Sequence, residues 1–448
     1  MKKMYLKLCA GVLAVLTAAG MAACDNKDDN ESKTETQAVP AESIVEKIEE
    51  PDIGEHKDYD KETAEGYYSD GILIVDQDGT KRGMELFEAG SGYAEFYGNE
   101  LNTIKDRLDP RINIYSMIVP TACELYCPSN KRRKIDSQEE VIDYVRDLLV
   151  NVKEVNVLPT LINHNAEDIY FRTDNRWAPL GAYYAGMVFS KTAGVDYADI
   201  SEYTKAGGMD YVGNLSLYVD NRGQADLDEN PDTFTYYKPN CKYTTHYYDE
   251  EFEYLTDGPF FEEVPDSLYE TFYKGGLYCL KLSTEVKNGR RLIIVKDSFG
   301  TTLAPFLTSS FEEIYVVDID YLEANLVEMI EDFDITDVLY VVNTFTVTSQ
   351  RTYQLETLRS QATHGTLRDD APDSVTVSSS DSDSSQDTED ENEEEDGTQY
   401  VYGIGLNNQV SVIENDDGEE DYNDNDDYNY DDGYDYEYEN DYDYDEGY

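Results

Sequence analysis

Between about residues 67 and 350, short apolar runs alternate with segments whose apolar positions recur at helical spacing. The runs are typical of buried strands, and the spaced segments are typical of amphipathic helices. The predicted strands are 71–75, 112–119, 155–158, 291–295, 314–317 and 338–342. The predicted helices are 92–108, 137–149, 179–191, 301–309 and 321–333. This alternation predicts an α/β fold with a mainly parallel sheet that helices cover on both faces.

Residues 195–288 interrupt the alternation. They are rich in Tyr, Asp, Gly and Asn and show little periodicity. We interpret them as an irregular insertion with weak strands that lies over one edge of the sheet.

The first 24 residues have the pattern of an export signal. Lys2, Lys3 and Lys7 precede an apolar run at 8–23, which is short for a membrane span. The run ends in small residues followed by Cys24, an arrangement that resembles a bacterial lipobox in which this cysteine is lipidated. An ordinary secretory signal with a chance cysteine is the alternative. We therefore predict an extracytoplasmic protein whose only contact with the membrane is a lipid anchor.

Two further segments, 25–66 and 366–448, are polar and acidic. Both are predicted to be disordered, because they offer too little apolar surface to offset the entropy lost on ordering. Within the acidic Asp/Tyr-rich tail, apolar positions alternate around Asn407 and Asn408 and suggest a short hairpin. The tail either binds calcium diffusely, adheres to a cationic surface or keeps the protein solvated, and we favour solvation.

The formal net charge of −61 and the lack of a basic stripe argue against nucleic-acid binding. The cysteines beyond residue 24 are Cys123, Cys127, Cys241 and Cys279. An exported protein can pair such cysteines, but the sequence does not reveal the pairing. Cys123 and Cys127 lack the spacing and partner ligands of a zinc site. We predict no metal and no other cofactor.

Asp297 and Ser298 follow the predicted strand 291–295, directly before Gly300. A serine at such a turn can present its hydroxyl beside backbone amides that stabilise an oxyanion, although a helix N-cap is the alternative. A nucleophilic serine needs a base, usually a histidine. The histidines of the chain are His56, His164, His246 and His364. None of them lies in a recognisable motif.

Two stretches, 169–184 and 295–306, resemble the DHHW family, which belongs to the SGNH-hydrolase-like group with the alginate O-acetyltransferase-like proteins. Shorter segments at 116–121, 315–318 and 337–343 resemble further parts of that family. The likeness covers about residues 67–350. It implies a three-layer α/β/α SGNH-like fold. It also implies a Ser-His-Asp triad in relatives that transfer or remove acetyl groups on exported polysaccharide.

The resemblance carries over residue by residue. Ser298 matches the nucleophile, Asp174 matches the carboxylate, and Trp177 matches the tryptophan of the motif. The two histidines of the motif fall on Asn175 and Arg176, so the position of the triad base holds an arginine. Arginine stays protonated and cannot act as a general base. We expect Arg176 to pair with Asp174 or to bind an anion.

The predicted site also includes substrate-binding residues, and the sequence departs from the family pattern at one more position. Trp177, Asn175 and Asp297 are the predicted substrate-binding residues, beside Ser298, Asp174 and Arg176 at the catalytic positions. Asp320 is a second departure, because the family pattern usually carries an arginine there.

The predicted organisation is a lipoprotein signal peptide at 1–24, a disordered linker at 25–66, an SGNH-like domain at 67–365 and the tail at 366–448. We favour a catalytically impaired protein that binds cell-surface polysaccharide or an envelope-assembly protein. A second hypothesis is an active esterase or O-acetyltransferase in which Asp174 or His246 activates Ser298. A third is an adhesion or spacer protein that acts through its tail.

Overall fold

The computed structural model describes residues 54, 56–90, 92–262, 268–276, 279–364 and 367, and the backbone of 401–404 and 410–413. The predicted signal peptide, most of the predicted linker and most of the predicted tail lie outside the described residues.

The strands are β1 (Gly66–Ser69), β2 (Ile72–Gln77), β3 (Thr80–Glu85), β4 (Asn113–Val119), β5 (Lys153–Glu154), β6 (Tyr203–Tyr211), β7 (Asp232–Pro239), β8 (Tyr243–Tyr248), β9 (Tyr254–Asp257), β10 (Cys279–Thr284), β11 (Arg291–Lys296), β12 (Glu313–Asp318), β13 (Asp337–Asn343), β14 (Val401–Ile404) and β15 (Val410–Ile413). The α-helices are α1 (Tyr93–Arg107), α2 (Ala122–Tyr126), α3 (Gln138–Leu148), α4 (Leu158–Asn163), α5 (Pro179–Ala193), α6 (Asn221–Asp228), α7 (Leu326–Asp332), α8 (Thr344–Val347) and α9 (Tyr353–Ser360). Within the described ranges, no helix is both long enough and apolar enough to cross a bilayer.

Across the described residues, the main sheet has eight strands in the order β5-β4-β13-β11-β12-β10-β8-β9. The strands from β5 to β12 in this order are parallel to one another, and β10, β8 and β9 extend the sheet in antiparallel fashion. The predicted α/β architecture is therefore confirmed. In such a sheet, the carboxyl ends of the parallel strands lie along one edge, where ligand sites of α/β folds gather.

Helices cover both faces of this sheet. Tyr115 and Ser116 are consecutive residues of β4, so their side chains point to opposite faces. The Tyr115 ring packs edge-to-face on Phe189 of α5, with the ring centroids 5.2 Å apart. The Ser116 hydroxyl hydrogen-bonds with the hydroxyl of Tyr97 on α1 at 3.0 Å. The domain therefore has three layers, with α5 on one face and α1 on the other.

Two predicted strands take other places. The run at 71–75 becomes β2, which pairs with β1 and β3 in a separate antiparallel sheet. At 155–158, the sheet pairing stops at Glu154 and helix α4 begins at Leu158, with Pro159 in its first turn. Proline suits this position, because the first helical N–H groups need no partner within the helix.

Two predicted helices are shorter than the pattern indicates. The segment predicted at 301–309 forms 3₁₀ turns, and the helix predicted from 321 begins only at Leu326. Asn325 sets that later start, since its side-chain oxygen accepts hydrogen bonds from Val327 N–H at 2.9 Å and Glu328 N–H at 3.2 Å. An asparagine at this position satisfies the first free N–H groups of a helix and favours a helix start there.

The insertion at 195–288 is more regular than its composition suggests. It contains β6 to β10, of which β8, β9 and β10 join the main sheet beyond β12. The strands β6 and β7 pair with each other in a separate antiparallel ribbon. Their many tyrosines and threonines suit strands but conceal the usual alternation of apolar and polar positions.

The end of the predicted linker at 25–66 lies on the domain. Lys57 N–H donates to the side-chain oxygen of Asn165 at 2.8 Å. The Tyr59 ring packs edge-to-face on Tyr126, with the ring centroids 5.3 Å apart. These contacts are polar or aromatic and have no period, so the sequence pattern does not reveal them. In the tail, β14 and β15 form the antiparallel pair predicted around residues 407–408.

Candidate active site

The loop that carries Asp174 to Trp177 is closed at its base. Tyr170 and Trp177 form an isolated antiparallel bridge. Ala178 N–H then donates to the Ile169 carbonyl at 2.9 Å, and α5 begins at the next residue. The side chains between the two bridge residues are therefore held in one tight loop at the start of a helix.

Asp174 and Arg176 form a bidentate ion pair. Arg176 Nε lies 2.7 Å from Asp174 Oδ1, and Arg176 Nη2 lies 2.8 Å from Asp174 Oδ2. The backbone N–H of Arg176 also donates to Oδ1 at 3.0 Å. Asp174 is fully buried. This geometry matches the planar guanidinium to the carboxylate and leaves no position for a neutral base between them.

The insertion completes the shell around Asp174. Tyr211 donates its hydroxyl to Asp174 Oδ2 at 2.6 Å, and the backbone N–H of Asn214 donates to the same oxygen at 3.3 Å. Gly213 permits this approach, because a Cβ at that position would lie 2.3 Å from the Asp174 Cβ. The carboxylate thus has charged and neutral donors around both oxygens.

These contacts set the charge states of the pair. Burial by itself would raise the pKa of Asp174, but the charge and hydrogen bonds of Arg176 outweigh it, and the net pKa is lowered. Burial would likewise lower the pKa of Arg176, and Asp174 outweighs that effect, so the net pKa is raised well above its usual value. Both groups are therefore ionised at neutral pH, and neither is free to take a proton from a serine.

Tyr269 lies between this pair and Ser298. The Arg176 guanidinium carbon is 3.5 Å from the centroid of the Tyr269 ring, a cation–π contact. The Tyr269 hydroxyl donates to the backbone carbonyl of Ser298 at 3.4 Å. The loop that carries Asp174 to Trp177 and the turn that carries Ser298 therefore lie close together. The aromatic ring of Tyr269, which comes from the insertion, lies between them.

Ser298 is the first residue of a 3₁₀ turn at the carboxyl end of β11, and its side chain is partly exposed. Among the described residues, no hydrogen bond reaches the Ser298 hydroxyl. The N-cap of the turn is Asp297, whose carboxylate accepts from Phe299 N–H at 2.9 Å and from Asn343 N–H at 2.8 Å. Ser298 itself therefore does not cap the turn.

Trp177 and Asp297 are both fully buried. The Trp177 indole N–H donates to the Phe299 carbonyl at 2.7 Å, which ties the motif loop to the serine turn. Burial raises the pKa of Asp297 against the opposing charge of Arg351 and its own hydrogen bonds. Both side chains lie in the interior, where their hydrogen bonds hold the serine turn. Asn175, the third predicted substrate-binding residue, is partly exposed.

His56, His164 and His246 form hydrogen bonds with groups other than Ser298. His246 lies on β8, where its Nδ1 is 2.6 Å from Asp257 Oδ1. It pairs with β10, and β12 separates β10 from β11 in the sheet. Three strand spacings place it about 14 Å to the side of β11. His246 therefore does not activate Ser298 in this arrangement. His164 Nδ1 lies 2.6 Å from Glu167 Oε1.

Neither a metal site nor a disulfide is seen in the part of the chain that the structure describes. No group of three or more His, Cys, Asp or Glu side chains there is arranged to hold a metal ion. The cysteines at 123, 127, 241 and 279 are free thiols.

Glu85 is a carboxyl that the sequence does not single out. Burial raises the pKa of Glu85 to about 7, and the charge of Asp174 adds to the rise while a hydrogen bond from Asn175 opposes it. Glu85 ends β3, and its side chain is partly buried. The position of one motif histidine is therefore occupied by an amide that contacts a carboxyl able to change charge near neutral pH.

We expect the Glu85→Gln protein to lose a pH dependence of stability that the wild type has. The folded-state pKa is about 7 and the ordinary value is 4.5. The folded state therefore holds a proton that the unfolded state releases. The contribution of Glu85 to the free energy of unfolding is fully present below about pH 4.5. It is lost as the pH rises through about 7 and amounts to on the order of 1–3 kcal/mol. Chemical denaturation at pH 5 and pH 8 measures the difference.

Glu88→Gln is the matched control, since Glu88 is an exposed glutamate three residues further along. It should retain the wild-type loss of stability between pH 5 and pH 8. If Glu85→Gln shows the same loss as the wild type, Glu85 does not titrate in this range.

Sequence reasoning missed Tyr211, Tyr269 and Glu85. Each comes from a segment distant in the chain, and the two tyrosines lie in the insertion among many other tyrosines. No local spacing distinguishes them. The only usable signal was indirect: a buried Asp–Arg pair needs further donors, and the segment following α5 is the next in the chain to supply them.

Comparisons with known proteins place this chain in a family. The chain is similar to a DHHW family protein from Eubacterium siraeum, with 34% identity and a TM-score of 0.63 over 67% of this chain and 99% of that one. It also shares its fold with Bacillus cereus PatB1 carrying a sulfonyl adduct, at 18% identity and a TM-score of 0.51 over 63% of this chain and 98% of that one. A search of curated protein sequences finds no significant match. The family model described as DHHW protein matches residues 24–317. The chain therefore belongs to the DHHW family, with an SGNH-like fold.

Proposed function

We propose that this chain is an exported, lipid-anchored DHHW-family protein with impaired ester chemistry that binds cell-surface polysaccharide. Export and the anchor at Cys24 rest on the sequence pattern of residues 1–24. Polysaccharide as the ligand class rests on the resemblance to proteins that modify exported glycans.

The observation that carries the proposal is the closed pair of Asp174 and Arg176. A triad requires a neutral base that bonds the serine hydroxyl on one side and the carboxylate on the other. Here the carboxylate is neutralised by a bidentate arginine, and the described residues offer the Ser298 hydroxyl no hydrogen-bonding partner. The fold around the site is retained although the position of the base holds an arginine, and this combination favours binding over turnover.

The purified full chain tests this with p-nitrophenyl acetate as the probe. We expect no hydrolysis above that of the Ser298→Ala protein, because loss of a triad member removes several orders of magnitude in rate. The same preparation should sediment with insoluble cell-wall polysaccharide. Hydrolysis that disappears in Ser298→Ala would contradict impairment, and failure to sediment would contradict glycan binding.

A second candidate, an active esterase or O-acetyltransferase, is favoured by one observation. Glu85 has a pKa of about 7 and contacts Asn175. A group with a pKa near the working pH is suited to acid–base catalysis. If the wild type hydrolyses acetyl esters, loss of that activity in Glu85→Gln, with Glu88→Gln unaffected, would support this candidate.

A further inference from the structure

The Tyr269 side chain fills the space between the ion pair and the turn that carries Ser298. It is only 4% exposed. Its ring centroid lies 3.5 Å from the Arg176 guanidinium carbon, a van der Waals contact that leaves no room for water or another side chain between them. Its hydroxyl donates to the Ser298 carbonyl at 3.4 Å. The ring therefore extends from the position of the family's base to the backbone of the serine.

This position matters for any base that acts on Ser298. A general base must lie within hydrogen-bond reach of the serine hydroxyl, directly or through one water. In a triad, the base occupies the space between the carboxylate and the serine. Here Asp174 is followed by Arg176 and then by the Tyr269 ring in the direction of Ser298. A neutral base at position 176 would therefore have an aromatic ring beside its path to the serine hydroxyl.

Aromatic packing in the insertion holds Tyr269 in place. Tyr269 belongs to the 3₁₀ turn Leu268–Thr271, and its ring centroid lies 5.9 Å from that of Phe272. Phe272 is buried and forms an isolated antiparallel bridge with Phe261. The Phe272 ring centroid also lies 6.2 Å from that of Phe234 on β7. The ring that fills the space is thus supported from behind by a buried aromatic cluster.

The backbone directly after this turn is strained. Tyr273 has a φ of 30° and Lys274 a φ of 55°, and Gly275 and Gly276 follow with 78° and 83°. The left-handed region is unfavourable for residues with a Cβ. Such strain persists only where the surrounding structure fixes it, and it is concentrated at functional sites. The segment that presents Tyr269 is therefore held in its conformation against a local cost.

A buried lysine fixes the end of this strained segment. Lys296 Nζ donates to the Gly276 carbonyl at 2.9 Å and pairs with Asp318 at the end of β12. Burial by itself would lower the pKa of Lys296, but the charge of Asp318 outweighs it, and the net pKa is raised. Lys296 is the last residue of β11, two positions before Ser298. The strand that carries the serine therefore also holds the segment that carries Tyr269.

We propose that Tyr269 is a second block to ester chemistry, steric where that of Arg176 is electrostatic, and that it determines which acyl groups reach Ser298. The ring excludes acyl chains from the side of the serine that faces Arg176. The packing of Phe272 and the bond from Lys296 keep the ring there. The inference rests on the proposed impairment of ester chemistry and adds a specificity-determining residue to it.

Hydrolysis of p-nitrophenyl acetate and p-nitrophenyl butyrate by the purified full chain tests the inference. Arg176→His is the background, because arginine at this position cannot act as a base. Adding Tyr269→Ala should raise kcat/KM for the acetate by about 10-fold or more, since obstructed positioning costs a catalytic site that much. The gain for the butyrate should be larger, because its acyl chain is longer. Tyr269→Ala alone should stay at the rate of Ser298→Ala.

Tyr269→Phe and Tyr254→Ala are the matched controls in the same background. Tyr269→Phe keeps the ring and should leave both rates unchanged. Tyr254 is another tyrosine of the insertion, and its hydroxyl donates to Asp257 Oδ1 at 2.8 Å. It lies on β9, four strands along the sheet from β11 and about 19 Å to its side, so Tyr254→Ala should also change neither rate.

Chemical denaturation checks that each variant folds. If Tyr269→Ala does not fold, Tyr269→Leu replaces it. Leucine retains apolar packing on Phe272 but lacks the ring and the hydroxyl that reach Ser298. It should raise both rates in the same order, with the butyrate again gaining more than the acetate.

Three outcomes overturn the inference. They are equal rates with and without the Tyr269 substitution, an equal gain for the two esters, and no hydrolysis by a folded protein that carries both substitutions. The proposed function is judged separately, on the wild type. It fails if the wild type hydrolyses acetyl esters through Ser298 or does not sediment with cell-wall polysaccharide.

Discussion

The Arg176→His protein is expected to gain Ser298-dependent hydrolysis of acetyl esters. The substitution removes the guanidinium that neutralises Asp174 and places an imidazole where the DHHW motif has its second histidine. Asp174, with Tyr211 as its remaining side-chain donor, is available to orient that imidazole. A positioned general base contributes about 10²–10⁴-fold in rate. We expect a gain of at least about 10-fold, because Tyr269 still lies between the loop and Ser298.

Two further variants isolate the cause of such a gain. Arg176→His combined with Ser298→Ala should return to the background rate. Arg172→His is the matched control, because Arg172 lies in the same loop and pairs with a different carboxylate, that of Asp232, at 3.1 Å. It should gain nothing. If the Arg176→His protein folds but does not hydrolyse acetyl esters, the site lacks more than a general base.

The second large effect concerns stability. We expect Asp174→Asn to lower the free energy of unfolding by about 3–5 kcal/mol, because it leaves Arg176 charged and unpaired against Tyr269 in a buried site. The pKa of Asp174 is lowered in the folded state, so in the wild type this contribution is present above the usual value of 3.8 and is lost as the pH falls below it. Chemical denaturation at pH 7 measures the loss.

Further variants distinguish the effect of the buried ion pair from the effect of a single unpaired charge. Asp109→Asn removes a surface Asp–Arg pair of 2.9 Å, in which Arg111 is 90% exposed, and should change nothing measurable. Replacing both partners, as Asp174→Leu with Arg176→Met, should cost less than Asp174→Asn alone, because no buried charge is left unpaired. A double variant as unstable as the single one would show that the pair itself, and not the orphaned charge, stabilises the fold.

Much of the sheet could be predicted because its strands are buried on both faces. β11, β12 and β13 are continuous apolar runs, and such runs are distinctive even without an alignment. The strands of the insertion were harder to predict. β8 reads Tyr-Thr-Thr-His-Tyr-Tyr, and its place in the sheet depends on pairing with β10, which lies thirty residues later in sequence.

The residues of the candidate site also differ in how far the sequence could predict them. Asp174, Arg176 and Trp177 are close in sequence, so a motif could identify them, and the expected pairing of Arg176 with Asp174 follows from their spacing. The burial of Trp177 and Asp297 depends on how loops from distant segments pack, which spacing does not encode. Their prediction as ligand contacts comes from the motif, whereas their interior position follows from the fold.

The hydrogen bond from Trp177 to Phe299 also bears on the order in which the protein folds. It joins segments 122 residues apart, whereas α3 and α5 need only local contacts. Closing so long a loop is entropically unfavourable until β11 has already paired with β13, and β13 with β4, in the parallel sheet. The site therefore assembles late, after the sheet, so changes at Trp177 should alter the rate of unfolding more than the rate of folding.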